Sequence, residues 1–474
     1  MSKLLYRFRS IEKLLEFEEL EKQTIYFASP EELNDPMEGF NDLVFVGDKI
    51  VWKNLFKHYL MCLEHVNQSL IIVGEEHDTI DENSIPIFQS FDNFPTTMYE
   101  ELFEKIWKEF FQICGEFIEK ISTRTTPIKR DELNLYFRTV HYIALEVLHK
   151  NYEEQNFIPK RETVYLQDYK ILEGTIKTID LVEKMIETKE HKDKIDDIFF
   201  MRKSMQDDML FIGNINSNLF IKSPNKNFIL IDFINKYINS LEKLIYPKWY
   251  TACFMTECNN SSVWGNYADS HKGICLIFNS DDNNINLHGK IGCGSQGVIF
   301  GDKNHKFHEI NYKDDFIETN FFESISSLPI GQLKSTWYED ENGYLSDIYN
   351  KLFENIDEWK DKHWNKFYKN ILNKTTDWKY ENEYRLILSS ILDDNTEKEH
   401  RVLKYNFNSL KGLIFGIKTP MEDKIRIIDI IRQKSKENKI DDFEFYQAYY
   451  SHKDKNIQHK KISFLKFKNE RSML

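Results

Sequence analysis

The chain opens on a two-residue alternation. Leu5, Arg7 and Arg9 fall on one side of a segment whose other side carries Leu4, Tyr6 and Phe8, which predicts a short strand with both arginines on one face. Ser10 stands at the N-cap position of a Leu- and Glu-rich helix over 11–22. Ile25-Tyr-Phe-Ala28 reads as a second strand, Ser29-Pro-Glu-Glu32 as an N-cap, an N1 proline and an acidic first turn, and Asn34-Asp35-Pro36 as the turn that closes it. From about residue 47 to 246 the period changes to that of helices. Apolar residues recur at helical spacing over 51–66, 97–122, 131–152, 167–189, 195–212 and 227–245, with a polar loop over 75–94. After Pro247 the pattern is mixed again. Strands are predicted over 250–255, 272–278, 307–312, 380–388, 412–416, 442–450 and 461–467, and helices over 261–267, 345–374 and 422–436. The implied fold class is α+β: a mixed or antiparallel sheet core built from the N- and C-terminal segments, with a large, mostly helical insertion. The expected boundaries are 1–46 plus 247–450 for the core, 47–246 for the insertion, and 451–474 for a basic tail or hairpin.

Composition narrows the classes. A chain of 474 residues exceeds one ordinary core, and 36 Phe and 24 Tyr supply enough apolar surface to exclude wholesale disorder. The net charge of −14 argues against a protein that coats nucleic acid, although it leaves room for a local basic cleft. No apolar run approaches the ~20 residues that span a bilayer, and no long apolar stretch follows the N-terminus. Six cysteines in a chain this long fit reduced thiols better than a disulfide framework. The expectation is a cytoplasmic protein without membrane partners.

A set of motifs then carries a resemblance. Leu5-Tyr-Arg-Phe-Arg9, Ile25-Tyr-Phe-Ala-Ser-Pro30, Leu33-Asn-Asp-Pro-Met-Glu38, Ala252-Cys-Phe254, Trp264-Gly-Asn-Tyr-Ala-Asp-Ser-His-Lys-Gly-Ile-Cys275, Ile310-Asn-Tyr312, Trp378-Lys-Tyr-Glu-Asn-Glu-Tyr-Arg-Leu-Ile387 and Ile414-Phe-Gly416 follow one another in order. Together they resemble the bacterial domain-of-unknown-function family 2971 over about 1–46 and 247–450. Two positions depart from it: Met255 stands where the family often has serine, and Asn266 where it often has histidine.

Within the Trp378–Leu388 motif, Glu381-x-Glu383 is expected on a strand, which would point both carboxylates to one side. The pair is similar to the Glu-x-Glu signature of ADP-ribosyltransferases. In that chemistry the nicotinamide–ribose bond of NAD breaks through an oxocarbenium-like state. One carboxylate stabilises the developing positive charge and the other orients or deprotonates the acceptor. The resemblance implies that Arg7 or Arg9 holds the dinucleotide, since a guanidinium matches phosphate geometry, and that Tyr267 stacks on nicotinamide. His271 is a further candidate for phosphate or acid–base work. A plainer arrangement is open at the same place: Glu383 and Arg385 share a face, and would pair with each other or with Arg7. Asn34-Asp35-Pro-Met-Glu38 reads first as a turn, with Glu38 able to approach the same cleft.

Other motifs carry less. Gly292-Cys-Gly-Ser-Gln-Gly297 fits G-x-G-x-x-G, but an apolar run and a turn follow it instead of a helix, so a hairpin is the better reading than a dinucleotide loop. Cys253, Cys258, Cys275 and Cys293 lack a tight Cys-x-x-Cys knuckle and read as structural thiols. The functional expectation is an effector of the toxin or antiviral-defence type, ADP-ribosyltransferase-like or NAD-hydrolysing. Glu383 and Glu381 would be catalytic, NAD would be the cofactor, and no metal is expected. Arg7, Arg9, Tyr267 and His271 would bind the cofactor, with Asn34, Asp35, Glu38 and Arg385 as further candidates. One alternative is a nuclease holding Mg²⁺ on Asp35, Glu38, Glu381 and Glu383. Another is a sensor without enzymatic activity. The expected partners are a protein or nucleic-acid target and a regulatory partner docking on the helical insertion.

Overall fold

The computed structural model describes residues 3–467, apart from 76–78, 93, 163, 166, 167, 188–191, 295, 296 and 390–394. The chain forms two compact units. One comprises Met1–Phe40, Pro247–Ile317 and Lys366–Leu474; the other comprises Asn41–Tyr246 and Glu318–Asn365. The second unit therefore takes in residues 318–365, which the sequence reading assigned to the core, and the first takes in the 451–474 tail.

The first unit is built on an eight-stranded sheet. Its order is Asn456–Lys461, Glu444–Ser451, Leu410–Phe415, Ile274–Ser280, Lys3–Arg9, Trp249–Met255, Glu383–Ser389 and His308–Glu309. Every pairing is antiparallel except Leu410–Phe415 with Glu444–Ser451, which the Met421–Asn438 helix connects. The sheet is thus mixed, and the fold class is α+β. One face buries Leu5, Phe254, Leu276, Phe278 and Leu413 together with Ile427 and Ile431 of that helix. The other face buries Phe8, Met255, Cys275 and Ile277 under Val263 and Trp264 of the Ser261–Tyr267 helix. A smaller sheet pairs Thr24–Tyr26, Val402–Tyr405, Asn284–Gly294 and Gly297–Lys306. Gly294 pairs with Gly297, so the G-x-G-x-x-G segment is a hairpin end.

The second unit is mostly helical. Lys49–Val73, Thr97–Ser122, Arg130–Glu154, Lys170–Glu187 and Lys192–Ser217 follow the periodic segments, and a three-stranded sheet of Asp42–Phe45, Ile128–Lys129 and Glu318–Asn320 joins them. No helix among the described residues is long and apolar enough to cross a membrane.

Several expected elements are interrupted. The helix over 11–22 divides into Glu12–Glu16 and Glu19–Lys22, because Glu18 adopts left-handed backbone with φ 56°. That kink buries Leu20 and brings Glu19 to Arg9. The helix over 345–374 breaks at Asn355 into Asp347–Glu354 and Ile356–Ile371. The last strand is Asn456–Lys461, not 461–467; it closes a hairpin on Glu444–Ser451, with Ser451 paired to Asn456. Glu381 lies outside the strand altogether. It ends the 3₁₀ turn Thr376–Glu381, and left-handed Asn382 separates it from the strand that begins at Glu383.

Gly273 fixes how the Ser261–Tyr267 helix returns to the sheet. A Cβ there would meet the Arg9 carbonyl oxygen at 2.2 Å and the Ala268 backbone at 3.0 Å. Gly273→Ala must push this turn off the first strand. It is expected to cost about 1–3 kcal/mol in chemical denaturation, whereas alanine at Gly265, where nothing lies within 4 Å of a Cβ, is expected to leave stability unchanged or raise it.

Candidate active site

The first strand and its neighbour Trp249–Met255 splay apart: they pair only at Tyr6 and Met255. Thr251 pairs instead with Ala28. The split is lined by the side chains that strand alternation places on the Leu5 face, namely Arg7 and Arg9. Around it lies a cleft of about 650 Å³. Arg7, Arg9, Lys13, Tyr26, Asn34, Glu38, Cys253, Tyr267, Lys374 and Arg385 are among its walls. Six of the residues named from sequence thus reach one cleft: Arg7, Arg9, Asn34, Glu38, Tyr267 and Arg385.

One wall is cationic. Arg7 is buried, with its guanidinium 5.1 Å from the Phe254 ring centre. It donates to the carbonyls of Tyr26 at 3.1 Å and Cys253 at 3.5 Å, which uses two of its five donors. No carboxylate among the described residues lies in ion-pair range of it. Burial and the Arg9 charge bring its pKa down to about 10. Arg9 pairs with Glu19 through Nε at 2.7 Å and through Nη2. Lys13 lines the same wall, and burial, Arg9 and Arg7 lower its pKa. Three cations and one carboxylate leave two excess positive charges. Arginines two residues apart on one strand face stand about 7 Å apart, where like charges repel by roughly 2 kcal/mol at an effective dielectric constant of about 20.

The other wall is backed by a buried charge network. Arg385 is fully buried and spends all five donors. It is bidentate to Glu383, through Nε at 2.7 Å and Nη2 at 3.1 Å, and bidentate to Glu38, through Nη1 and through Nη2 at 2.8 Å; Nη1 also donates to the Ile371 carbonyl at 3.0 Å. Lys374 Nζ donates to Glu381 at 2.7 Å and to Glu383 at 3.3 Å. The Tyr267 hydroxyl donates to the other oxygen of Glu381 at 2.7 Å. The Glu383 amide donates to the Tyr312 hydroxyl at 2.8 Å. Arg385 and Lys374 overcome the burial of Glu383 and hold its pKa near 2, whereas burial, and for Glu381 the neighbouring Glu383 charge, raise Glu381 and Glu38 above the usual range. Three carboxylates against two cations leave one excess negative charge when all are ionised. Cys253 stands between the two walls, its carbonyl accepting from Arg7.

This geometry changes several expectations. Glu381 and Glu383 do converge, but on Lys374 and across a turn, not by strand alternation. Neither lines the cleft, and both are almost fully buried. Glu383 pairs with Arg385 and not with Arg7. Asp35 spends Oδ1 on the Met37 amide at 2.9 Å, as an Asx turn does. With Glu38 and Glu383 held by Arg385, the four carboxylates weighed for Mg²⁺ form no shared oxygen cage. His271 does not line the cleft. It lies in a left-handed run with Asp269 and Ser270, where its amide bonds the Trp264 carbonyl and its carbonyl accepts from the Lys418 amide. Sequence reasoning missed Lys374, Lys13, Glu19 and Tyr26. The density of cations over residues 7–13 was the one available signal; Lys374 had none, because its partners are defined by the turn at Asn382.

Removing a partner from a buried pair strands the other charge. Arg385→Met leaves Glu38 without a cation and Glu383 with Lys374 alone, and is expected to cost about 3–5 kcal/mol in denaturant unfolding. Glu383 adds the linkage. Its folded pKa lies below its unfolded value, so its contribution is present above about 4.5 and is lost as pH falls towards 2. The acid destabilisation over that window should be shallower in Arg385→Met.

No curated protein and no solved structure matches the chain. Residues 263–386 match the model of the family described as protein of unknown function DUF2971. The matched segment begins in the helix that carries Tyr267 and ends in the strand that carries Glu383 and Arg385, so it holds the buried charge network's tyrosine, lysine and central ion pair.

Proposed function

We propose that the cleft binds a phosphate-bearing nucleotide, and that the chain is an NAD-using enzyme of the ADP-ribosyl-transferring or NAD-hydrolysing kind. The observation that carries the reading is the polarity of the cleft. Arg7, Arg9 and Lys13 leave excess positive charge on one wall, and the network behind Tyr267 and Lys374 carries excess negative charge on the other. A dinucleotide presents the complementary pair: an anionic pyrophosphate, and a ribose that becomes cationic as nicotinamide leaves.

The roles follow from the contacts. Arg7 and Lys13 meet the pyrophosphate, with Arg9 shared between it and Glu19. Tyr267 packs against the nicotinamide–ribose end. As the C1′–N bond breaks, nicotinamide takes the bonding electron pair, and the oxocarbenium ion is stabilised by the nearby negative network in a low-dielectric surrounding. Water or an acceptor hydroxyl then forms the C1′–O bond and releases its proton to solvent. Glu381, held behind Tyr267 and Lys374, is a positioning residue that supplies the field; Glu383 anchors Lys374. NAD consumption, or modification of a protein or nucleic acid, would make the chain an effector of the toxin or antiviral type.

Equilibrium binding of NAD and ADP-ribose to the full chain tests the first step. Lys13 is exposed and has no ion-pair partner among the described residues. Lys13→Met is therefore expected to leave stability within about 0.5 kcal/mol while weakening ADP-ribose binding by about tenfold. A wild-type chain that binds neither ligand overturns the reading. Nicotinamide release tests the second step. Glu381 must be ionised to contribute, so kcat should fall as pH drops through its raised pKa, above 4.5. Glu381→Gln should lower kcat with little change in KM and remove that acid limb; an unchanged profile would contradict the role.

A further inference from the structure

One aromatic ring of the cleft is left open. Phe17 lines the cleft together with Arg9 and Lys13 and is 60% exposed. No aromatic ring among the described residues stacks on it. Two other rings of the cleft are committed to the protein. Phe8 is buried with its ring edge-on to Trp264 at 4.9 Å, and the Tyr26 hydroxyl donates to the two oxygens of Glu32 at 3.0 and 2.9 Å.

The backbone holds Phe17 where it is. Glu12–Glu16 is one π-helical turn, closed by the Phe17 amide on the Glu12 carbonyl at 3.1 Å. Leu14 and Leu15 of that turn sit in the core. Left-handed Glu18 then sends the chain back, so that Leu20 is buried and Glu19 reaches Arg9. The chain is thus anchored on both sides of Phe17, while Lys13 and Phe17 themselves stay exposed. Side chains four apart on a helical turn are neighbours, with about 5–6 Å between Cβ atoms. An ammonium group and an open ring face therefore stand next to each other, in the cleft where Arg7 uses only two of its five donors.

A nucleotide has the matching layout: a base with a π-face and, one sugar away, an anionic phosphate. Aromatic side chains stack on bases whatever hydrogen-bonding edge the base carries, and ammonium and guanidinium groups take the phosphate. A purine presents the larger face. We infer that Phe17 is the stacking platform for the purine base of the cleft's ligand, and so makes the cleft prefer a base-bearing ligand to a bare phosphate. Resting on the reading of the cleft as a nucleotide site, this also orients the dinucleotide. Its adenosine half lies over the Lys13–Phe17 turn, and its nicotinamide riboside half points to Tyr267.

Equilibrium binding of ADP-ribose and of inorganic pyrophosphate, to the full wild-type chain and to two variants of it, tests the platform. The wild type is expected to bind ADP-ribose at least about tenfold more tightly than pyrophosphate. Phe17→Ala is expected to weaken ADP-ribose binding by about tenfold and to leave pyrophosphate binding within about twofold. Its denaturant midpoint should not change, because the ring is exposed. Phe17→Trp should keep the wild-type affinity for ADP-ribose. A Phe17→Ala chain that binds ADP-ribose as the wild type does, or that loses both ligands alike, overturns the inference; so does a Phe17→Trp chain as weak as Phe17→Ala. A wild type that binds both ligands equally overturns the platform and leaves the cleft a phosphate site, whereas one that binds neither overturns both readings.

Discussion

A buried guanidinium has five donors to satisfy and one charge to neutralise, and Arg385 meets both demands with two carboxylates and one carbonyl. Its partners come from three separate stretches: Glu38 from the loop after the 3₁₀ turn Pro30–Glu32, Ile371 from the end of a helix, and Glu383 from its own strand. Each is thereby fixed to the others. The loop at Glu38 contributes to the lining of the cleft, and the helix end leads directly to Lys374. The side chains that face a ligand are therefore set by an ion cluster whose carboxylates Glu381 and Glu383 lie behind the cleft wall.

The same arithmetic explains why the two walls differ. Around Arg385 the carboxylates outnumber the cations, so Lys374 is drawn in and one negative charge remains. Around Arg7 the cations outnumber the carboxylates, because Glu19 is committed to Arg9 and Glu32 to Tyr26 and Arg401. Burial and the neighbouring Arg9 charge make the charged form of Arg7 unfavourable, and its lowered pKa expresses that cost. A dianionic group would relieve it. Binding sites commonly carry such locally unfavourable charge, with the rest of the fold supplying the stability.

How far this was legible in the sequence depends on what fixes each residue. Period-two alternation placed Arg7 and Arg9 on one face, and helical spacing located the long helices of the second unit, because both signals are local. The breaks at Glu18, Asn355 and Asn382 were not legible: each is a left-handed or irregular backbone at a residue other than glycine, and the Asn382 carbonyl is held by the distant Thr256 amide. The last of these mattered most. It moved Glu381 off the strand and behind Tyr267, which reversed the expected prominence of the two glutamates. Residues 318–365 also joined the second unit through pairing of Glu318–Asn320 with Asp42–Phe45, a long-range contact that no spacing announces. The plain alternative at Glu383 and Arg385 was readable from their shared face, and it is what the fold uses.

The cation wall is proposed to serve a phosphate-bearing ligand. Thermal unfolding of the full wild-type chain at constant ionic strength, titrated with ADP-ribose, tests it most directly. Mass action requires a ligand that binds only the folded state to add about 2.7 kcal/mol of stability at a hundredfold excess over Kd. The Tm is expected to climb with the logarithm of ADP-ribose concentration, and less with inorganic pyrophosphate. A Tm that does not move, or that moves no more than with sulfate at the same ionic strength, would contradict it.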